Sequence, residues 1–146
     1  MTFYDEHGAT GVIHGDEALA TFWRRLGALV IDALICAVPA TAILLAVPAR
    51  YEYLVLLGVM VVYFTAFEGS PRGQTPGKSF LRIRVISFDT GAPIGFQRAF
   101  VRSVGRIISG LPFDLGYLWM LWDPENQTWH DKFARSVVVD LARLTA

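Results

Sequence analysis

Residues 26–47 read LGALVIDALICAVPATAILLAV. The stretch is 22 residues long, holds one charged residue, Asp32, and contains eleven Leu, Ile or Val. At 1.5 Å per residue, about 20 such residues cross the ~30 Å hydrocarbon core of a bilayer. Their side chains favour insertion by about 3–7 kcal/mol, whereas one carboxylate opposes it by at most about 3 kcal/mol, and by less off-centre. Insertion outweighs the single charge, and the segment predicts a transmembrane helix. Pro39 predicts a kink within it and Pro48 its end.

Working outward, residues 48–52 form a short polar break, and residues 53–67 carry a second apolar run. This run is short for a span, but Tyr51, Tyr53, Tyr63 and Phe67 suit the two membrane interfaces. The two segments predict an antiparallel transmembrane hairpin. A buried helical hairpin of a soluble protein is the alternative, but the chain offers no amphipathic partner to cover both helices. Composition agrees with the membrane reading. Apolar residues make up 53% of the 146 and charged residues 18%, with a formal net charge of zero. Soluble domains usually carry about 25% charge. A zero net charge points to no nucleic-acid partner. Residues 1–21 contain Asp5, Glu6, Asp16 and Glu17 and no apolar core. They read as a polar tail ending in an amphipathic turn at Leu19, Phe22 and Trp23, not as a cleavable signal sequence. Cys36 is the single cysteine, which excludes an internal disulfide, and it reads as a small hydrophobe.

Orientation is expected from the basic residues. Arg24 and Arg25 precede the first span, and Arg72, Lys78, Arg82, Arg84, Arg98, Arg102 and Arg106 follow the second. The connection between the spans holds only Arg50, offset by Glu52. The positive-inside rule then expects the N-terminus and the long loop, residues 68–94, in the cytoplasm. Within that loop Leu81, Ile83 and Val85 alternate with Arg82, Arg84 and Ile86, which predicts a half-exposed strand. Residues 136–140 (SVVVD), within a C-terminal element at 130–140, form a second strand candidate. Neither is stable alone, and pairing them requires both on one side, so the C-terminus, with its short tail at 141–146, is expected in the cytoplasm as well.

Residues 95–109 predict an amphipathic helix. Arg98, Arg102 and Arg106 recur at i, i+4 and i+8 as a basic stripe, opposite Phe96, Phe100, Ser103, Val104 and Ile107. The stripe suits anionic lipid head groups at the cytoplasmic interface, or a place in a polar network; a solvated helix face is the plain alternative. Residues 111–122 form a third apolar segment, apolar from 113 to 122 except for Asp114, which either faces the bundle interior or caps the last helix. The expected fold is therefore an α-helical integral membrane protein: a transmembrane hairpin, a third broken or re-entrant segment, and a small cytoplasmic two-stranded β element.

Three groups of residues line up in order: Arg25 and Asp32 flanking Ala28; Gln74-Thr75-Pro76-Gly77-Lys78 leading into Arg84-Val85-Ile86; and Gln127-Thr128-Trp129-His130-Asp131-Lys132 leading into Ala134 and the valine run. This pattern resembles the RDD family of bacterial membrane proteins, named for one Arg and two Asp, with Arg25, Asp32 and Asp131 at the matching positions. The resemblance covers about residues 22–139. Trp129 stands where an aliphatic residue is expected, and Ser136 where threonine is. The resemblance implies a membrane protein whose biochemistry is poorly defined; ion or proton-coupled transport has been proposed for some members.

Arg25 and Asp32 lie seven apart, on one helix face and about 10 Å apart along the axis. Ala28 between them leaves a groove for another helix. An ionisable residue inside a span is a functional candidate, so Asp32 is a candidate to carry a proton or bind a cation. The competing reading is an ion pair with Arg25 or with Arg98, Arg102 or Arg106 in one buried network. Asp131 is expected to cap the turn that follows it, or to pair with Arg82 or Arg84. Residues 73–79 (GQTPGKS) resemble a phosphate loop only superficially. The motif needs four residues between its first glycine and Gly-Lys, and here there are three. It also needs a helix next, and a strand pattern follows. A Pro-Gly turn placing Lys78 at the membrane surface is the better account of Thr75, Pro76, Gly77 and Lys78. His7, His14 and His130 lack metal-ligand spacing, and no nucleophile motif occurs. No cofactor, metal or enzymatic activity is expected. Two functions remain: a non-catalytic accessory or assembly subunit that packs against other membrane subunits or itself, and an ion- or proton-coupled transporter acting as a homo-oligomer.

Overall fold

A computed structural model describes residues 2–4, 10–12, 18–110 and 115–144. Helices α1 (Phe22–Ala46) and α2 (Ala49–Gly69) are separated by Val47 and Pro48 alone and form the antiparallel hairpin. Both are long and apolar enough to cross a bilayer. Pro48 ends the first and starts the second, as its missing N–H dictates. Both helices extend beyond the apolar runs at 26–47 and 53–67. The four added residues of α1 are held by side-chain anchors: Arg24 donates to Leu81 O and Asp140, and Arg25 to Asp131 and Asn126 O.

Burial along the hairpin is uneven. Only Ala28 and Asp32 of α1, and Phe64, Glu68 and Gly69 of α2, are buried. All lie toward the end where the chain enters α1 and leaves α2. Toward the turn, Leu34, Val38, Leu45, Tyr53 and Leu54 stand exposed.

The remaining elements gather at that base. Helix α3 (Pro76–Phe80) packs on α1. Thr75 caps it by accepting from Lys78 N, and Pro76 takes the first helical position, where no donor is needed. A helical turn, not a strand, therefore follows Thr75, and the strand begins later. Strand β3 (Ile83–Ser87) pairs antiparallel with β4 (Ser136–Asp140), from Ile83 opposite Asp140 to Ser87 opposite Ser136. Helix α4 (Gly95–Gly110) packs along α2; α5 (Leu115–Leu118), a 3₁₀ turn (Trp119–Leu121) and α6 (Trp129–Phe133) lead back to β4, and α7 (Leu141–Leu144) follows. In the N-terminal tail, β1 (Thr2–Tyr4) and β2 (Thr10–Val12) form a separate antiparallel pair.

The pairing of Ser87 with Ser136 makes everything between them an excursion that returns to its start. The helical residues described in the third apolar segment, 115–121, reach roughly 10–14 Å, well under a bilayer thickness. Asp114 lies outside the described residues.

The expectation of a half-exposed strand at 81–86 is corrected. All five residues of β3 are buried, as are all five of β4. The reason is cover on both faces. Ile86, Val137 and Val139 pack with Ala18 and Leu19, while Ile83, Val85 and Val138 pack with Ala20, Ala28, Ile94 and Ala99. Leu19 also bridges to Val139, and Ala20 N donates to Val138 O, so the segment entering α1 shields the sheet. Arg84, inside this layer, donates through Nη2 to Pro71 O at 2.6 Å.

Candidate functional site

The charged residues converge where the base of the hairpin meets α3, α4 and α6. Glu68, in the last turn of α2, is fully buried. Its Oε1 accepts from Lys78 Nζ and Arg106 Nη2, and its Oε2 accepts from Arg102 Nε at 2.9 Å. Arg102 continues the chain of contacts by donating through Nη1 to Asp131 Oδ1 and to Ser136 Oγ, the latter at 2.7 Å. Asp131 Oδ2 accepts from Arg25 Nη1. Four cations thus share two carboxylates, and one network joins α1, α2, α3, α4 and α6.

Several expectations are corrected here. Arg25 and Asp32 do not pair; Arg25 turns to Asp131. Asp131 does not cap the turn that follows it: Thr128 is the N-cap of α6, Asp131 is its third residue and accepts from Thr128 N in a capping box, and its ion-pair partners are Arg25 and Arg102 and not Arg82 or Arg84. Lys78 is buried against Glu68 and is not exposed on the surface of the protein. The basic stripe of α4 is turned inward: Arg102 and Arg106 are buried beside Ala99, Ser103, Gly105 and Ser109, while Phe96, Phe100, Val104 and Ile108 face out. The acceptors that draw the two arginines inward are Glu68 and Asp131. Arg98 is separate from the cluster. It is half-exposed, donates to Ser87 Oγ at 2.9 Å and pairs with Asp89 at 3.6 Å.

Asp32 occupies a second, uncharged nest. Its Oδ2 accepts from Thr75 Oγ1 at 2.5 Å, and its Oδ1 accepts from Gly77 N at 2.8 Å and Tyr63 Oη at 2.9 Å. The groove beside Ala28 is filled by α3. A Cβ built on Gly77 would lie 2.2 Å from Ala28 O and 2.9 Å from the Asp32 carboxylate, so only glycine allows this approach. The motif residues Thr75 and Gly77 therefore serve Asp32, while Lys78 serves Glu68.

The environment sets the charge states. Burial pushes the Asp131 carboxyl up, but Arg102 and Arg25 outweigh it and hold the group well below the usual carboxylate range. Burial drives Lys78 down to about 7; Glu68 opposes this, and Arg106 and Arg102 add to it. Burial likewise holds His130 well below its ordinary value, so the ring is neutral at pH 7. It lies within hydrogen-bond reach of Thr128 Oγ1 at 2.9 Å and Ser109 Oγ at 3.3 Å.

Sequence reasoning missed Glu68. A signal was present: it is the sole acidic residue between Glu52 and Asp89, placed where an apolar helix meets a basic loop. Ser136, noted as a departure from threonine, keeps the hydroxyl that Arg102 uses. Trp129 takes the first position of α6, its ring tilted against that of Trp119 with centroids 6.2 Å apart.

The chain shares 39% identity over 69 residues with a proline-rich antigen homolog of Mycobacterium tuberculosis, covering 47% of this chain and 29% of that protein. It shares 31% over 81 residues with the proline-rich antigen of Mycobacterium leprae, covering 56% of this chain and 32% of that protein. The match thus spans about a third or less of the length of these curated relatives. No solved structure is a significant match. The RDD family profile matches residues 19–135, a range holding Arg25, Asp32 and Asp131 together with Glu68, Lys78, Arg102 and Arg106. With two apolar helices and that signature at the centre of its fold, this chain belongs to the RDD family.

Proposed function

We propose that this chain is a non-catalytic membrane module, an accessory or assembly subunit that packs against a larger complex in the bacterial inner membrane. The observation that carries this reading is the division of the hairpin. Its base is locked by the charge cluster, while beyond the base Leu34, Val38, Leu45, Tyr53, Leu54 and Val62 remain uncovered. In a bilayer such surfaces face lipid or the helices of another subunit. The positive-inside rule supports a cytoplasmic N-terminus, base and C-terminus, with anionic head groups nearby.

The second reading is an ion- or proton-coupled transporter acting as a homo-oligomer with Asp32 in the pathway. Three observations weigh against it. Three donors already fill the Asp32 carboxylate. The neighbouring excess of arginine and lysine repels a cation. Alternating access also normally rests on repeated bundles, and no repeat occurs here.

The test is purification of the tagged chain from membranes in mild detergent, followed by native mass measurement. A stable unrelated subunit supports the assembly reading. A closed homo-oligomer moves transport to first place. A lone monomer counts against both.

A further inference from the structure

The base of the hairpin encloses a cavity of about 400 Å³. Arg25, Lys78, Arg102 and Arg106 all line it. Around these four cations stand two ion-paired carboxylates, Glu68 and Asp131. Asp32 also lines the cavity, but Thr75, Gly77 and Tyr63 occupy both its oxygens, so even without a proton on Lys78 three arginines face the two ion-paired carboxylates. Buried positive charge in excess is unfavourable unless an anion offsets it.

Arg106 sharpens this. It is 5% exposed, commits Nη2 to Glu68, and holds its guanidinium 3.9 Å from the centre of the Phe64 ring. Its Nε–H is buried and finds no hydrogen-bond partner among the described residues, and the same is true of Arg25 Nε. Guanidinium groups with donor capacity left over, fixed by a ring and an ion pair, are suited to a phosphate oxyanion.

The opposite wall is apolar and reaches the outside. Leu26 and Leu29 line the cavity, yet are 38% and 37% exposed, so the cavity meets the outer face of α1 one to two turns from its start. If α1 spans the bilayer, that position lies near head-group depth. We propose that the cavity binds the phosphate of an anionic phospholipid, with the acyl chains leaving past Leu26 and Leu29. Anionic lipid then contacts Arg102 and Arg106 of α4 from inside the protein. This site rests on the membrane reading of the hairpin, because a lipid is its ligand.

The test uses the full chain purified in a neutral detergent, with thermal unfolding and native mass spectrometry as readouts. Three additions are compared at matched concentration: phosphatidylglycerol, phosphatidylcholine and inorganic phosphate. Retained, stabilising phosphatidylglycerol is expected, with weaker effects of the other two. Leu29→Trp, which fills the mouth and leaves every charge in place, is expected to weaken phosphatidylglycerol binding about tenfold, the scale of one lost charge-assisted contact. Leu45→Trp, near the far end of α1 and 85% exposed, is expected to leave it unchanged. Equal stabilisation by both lipids, insensitive to Leu29→Trp, overturns the proposal. Stabilisation by inorganic phosphate alone overturns the lipid source. A chain that inserts in membranes but responds to none of the three sinks this site and leaves the membrane reading intact. A chain that binds phosphate but is not membrane-integral sinks the membrane reading instead.

Discussion

Glu68 accepts from three cations on two different elements, and no other side chain in the cluster does so. Glu68→Gln keeps the shape and removes the charge, leaving Lys78, Arg102 and Arg106 poorly compensated in a buried site. Breaking a buried ion pair from one side costs about 3–5 kcal/mol, so a large fall in the detergent unfolding midpoint is expected. Combining it with Lys78→Met removes a buried amine that has lost its carboxylate partner, and the double variant is expected to lose less than the two single losses added together. Acid sensitivity follows from two other groups. His130 is neutral in the fold and takes up a proton near 6.5 once unfolded, so its contribution to stability is lost as pH falls below that value. Asp131 stays ionised in the fold and protonates near 3.8 when unfolded, so its contribution is lost on further acidification below 3.8. The unfolding midpoint is expected to fall in two stages, and His130→Gln to remove the first stage alone. At this scale Arg25, Asp32 and Asp131 were legible in the sequence as a signature, but their partners were not. Arg25 and Asp32 share a helix face, and only the tertiary fold reveals that a residue 106 positions away from Arg25 supplies its carboxylate.

The elements were legible where period and length act alone. The two apolar helices, the helix at 95–110 and the strand pair could all be read from hydropathy and alternation. What escaped was orientation. An arginine stripe every four residues identifies a face of α4 but not whether it points in or out, since that depends on acceptors contributed by α2 and α6. Alternation in β3 likewise predicts one exposed face, and only the layer formed by residues 18–20 and α4 covers both. The short turn at α3 was hidden because five residues carry no period; its signal was the cap, Thr75 followed by Pro76. That turn provides a sharp test of element packing. Gly77→Ala places a methyl 2.2 Å from Ala28 O, a backbone atom that cannot swing aside. Overpacking of this kind typically costs about 1–3 kcal/mol. The variant is expected to lose stability by that order, whereas Ser79→Ala, on the same turn but absent from the Asp32 nest, is expected to be nearly silent.

For the whole molecule the decisive relation is between the hairpin and the sheet. An antiparallel pair of spans returns the chain to the side from which it entered, so the start of α1 and the end of α2 share a side. Strand β3 follows α2 after 13 residues, and β4 is bonded to β3 along its full length. The N-terminal approach at 18–20 is also bonded to β4. Hence the entry to α1, the loop after α2 and the C-terminal strand are bound into one unit and cannot lie on opposite faces of a membrane. The turn at Val47 and Pro48 lies at the far end. The excess of arginine and lysine at the base, against Arg50 offset by Glu52 near the turn, favours the base in the cytoplasm. Cysteine accessibility in whole cells checks this after Cys36→Ser removes the only native thiol. Phe80→Cys, at a side chain 77% exposed beside the base, is expected to resist a membrane-impermeant reagent until the inner membrane is opened. Arg50→Cys, at the exposed start of α2, is expected to react in intact cells whose outer barrier alone is permeabilised. Labelling of both from outside breaks the hairpin reading, because one membrane cannot separate them. Labelling of Phe80→Cys but not Arg50→Cys keeps the hairpin and inverts it, which would put the arginine cluster and its cavity on the opposite side of the bilayer.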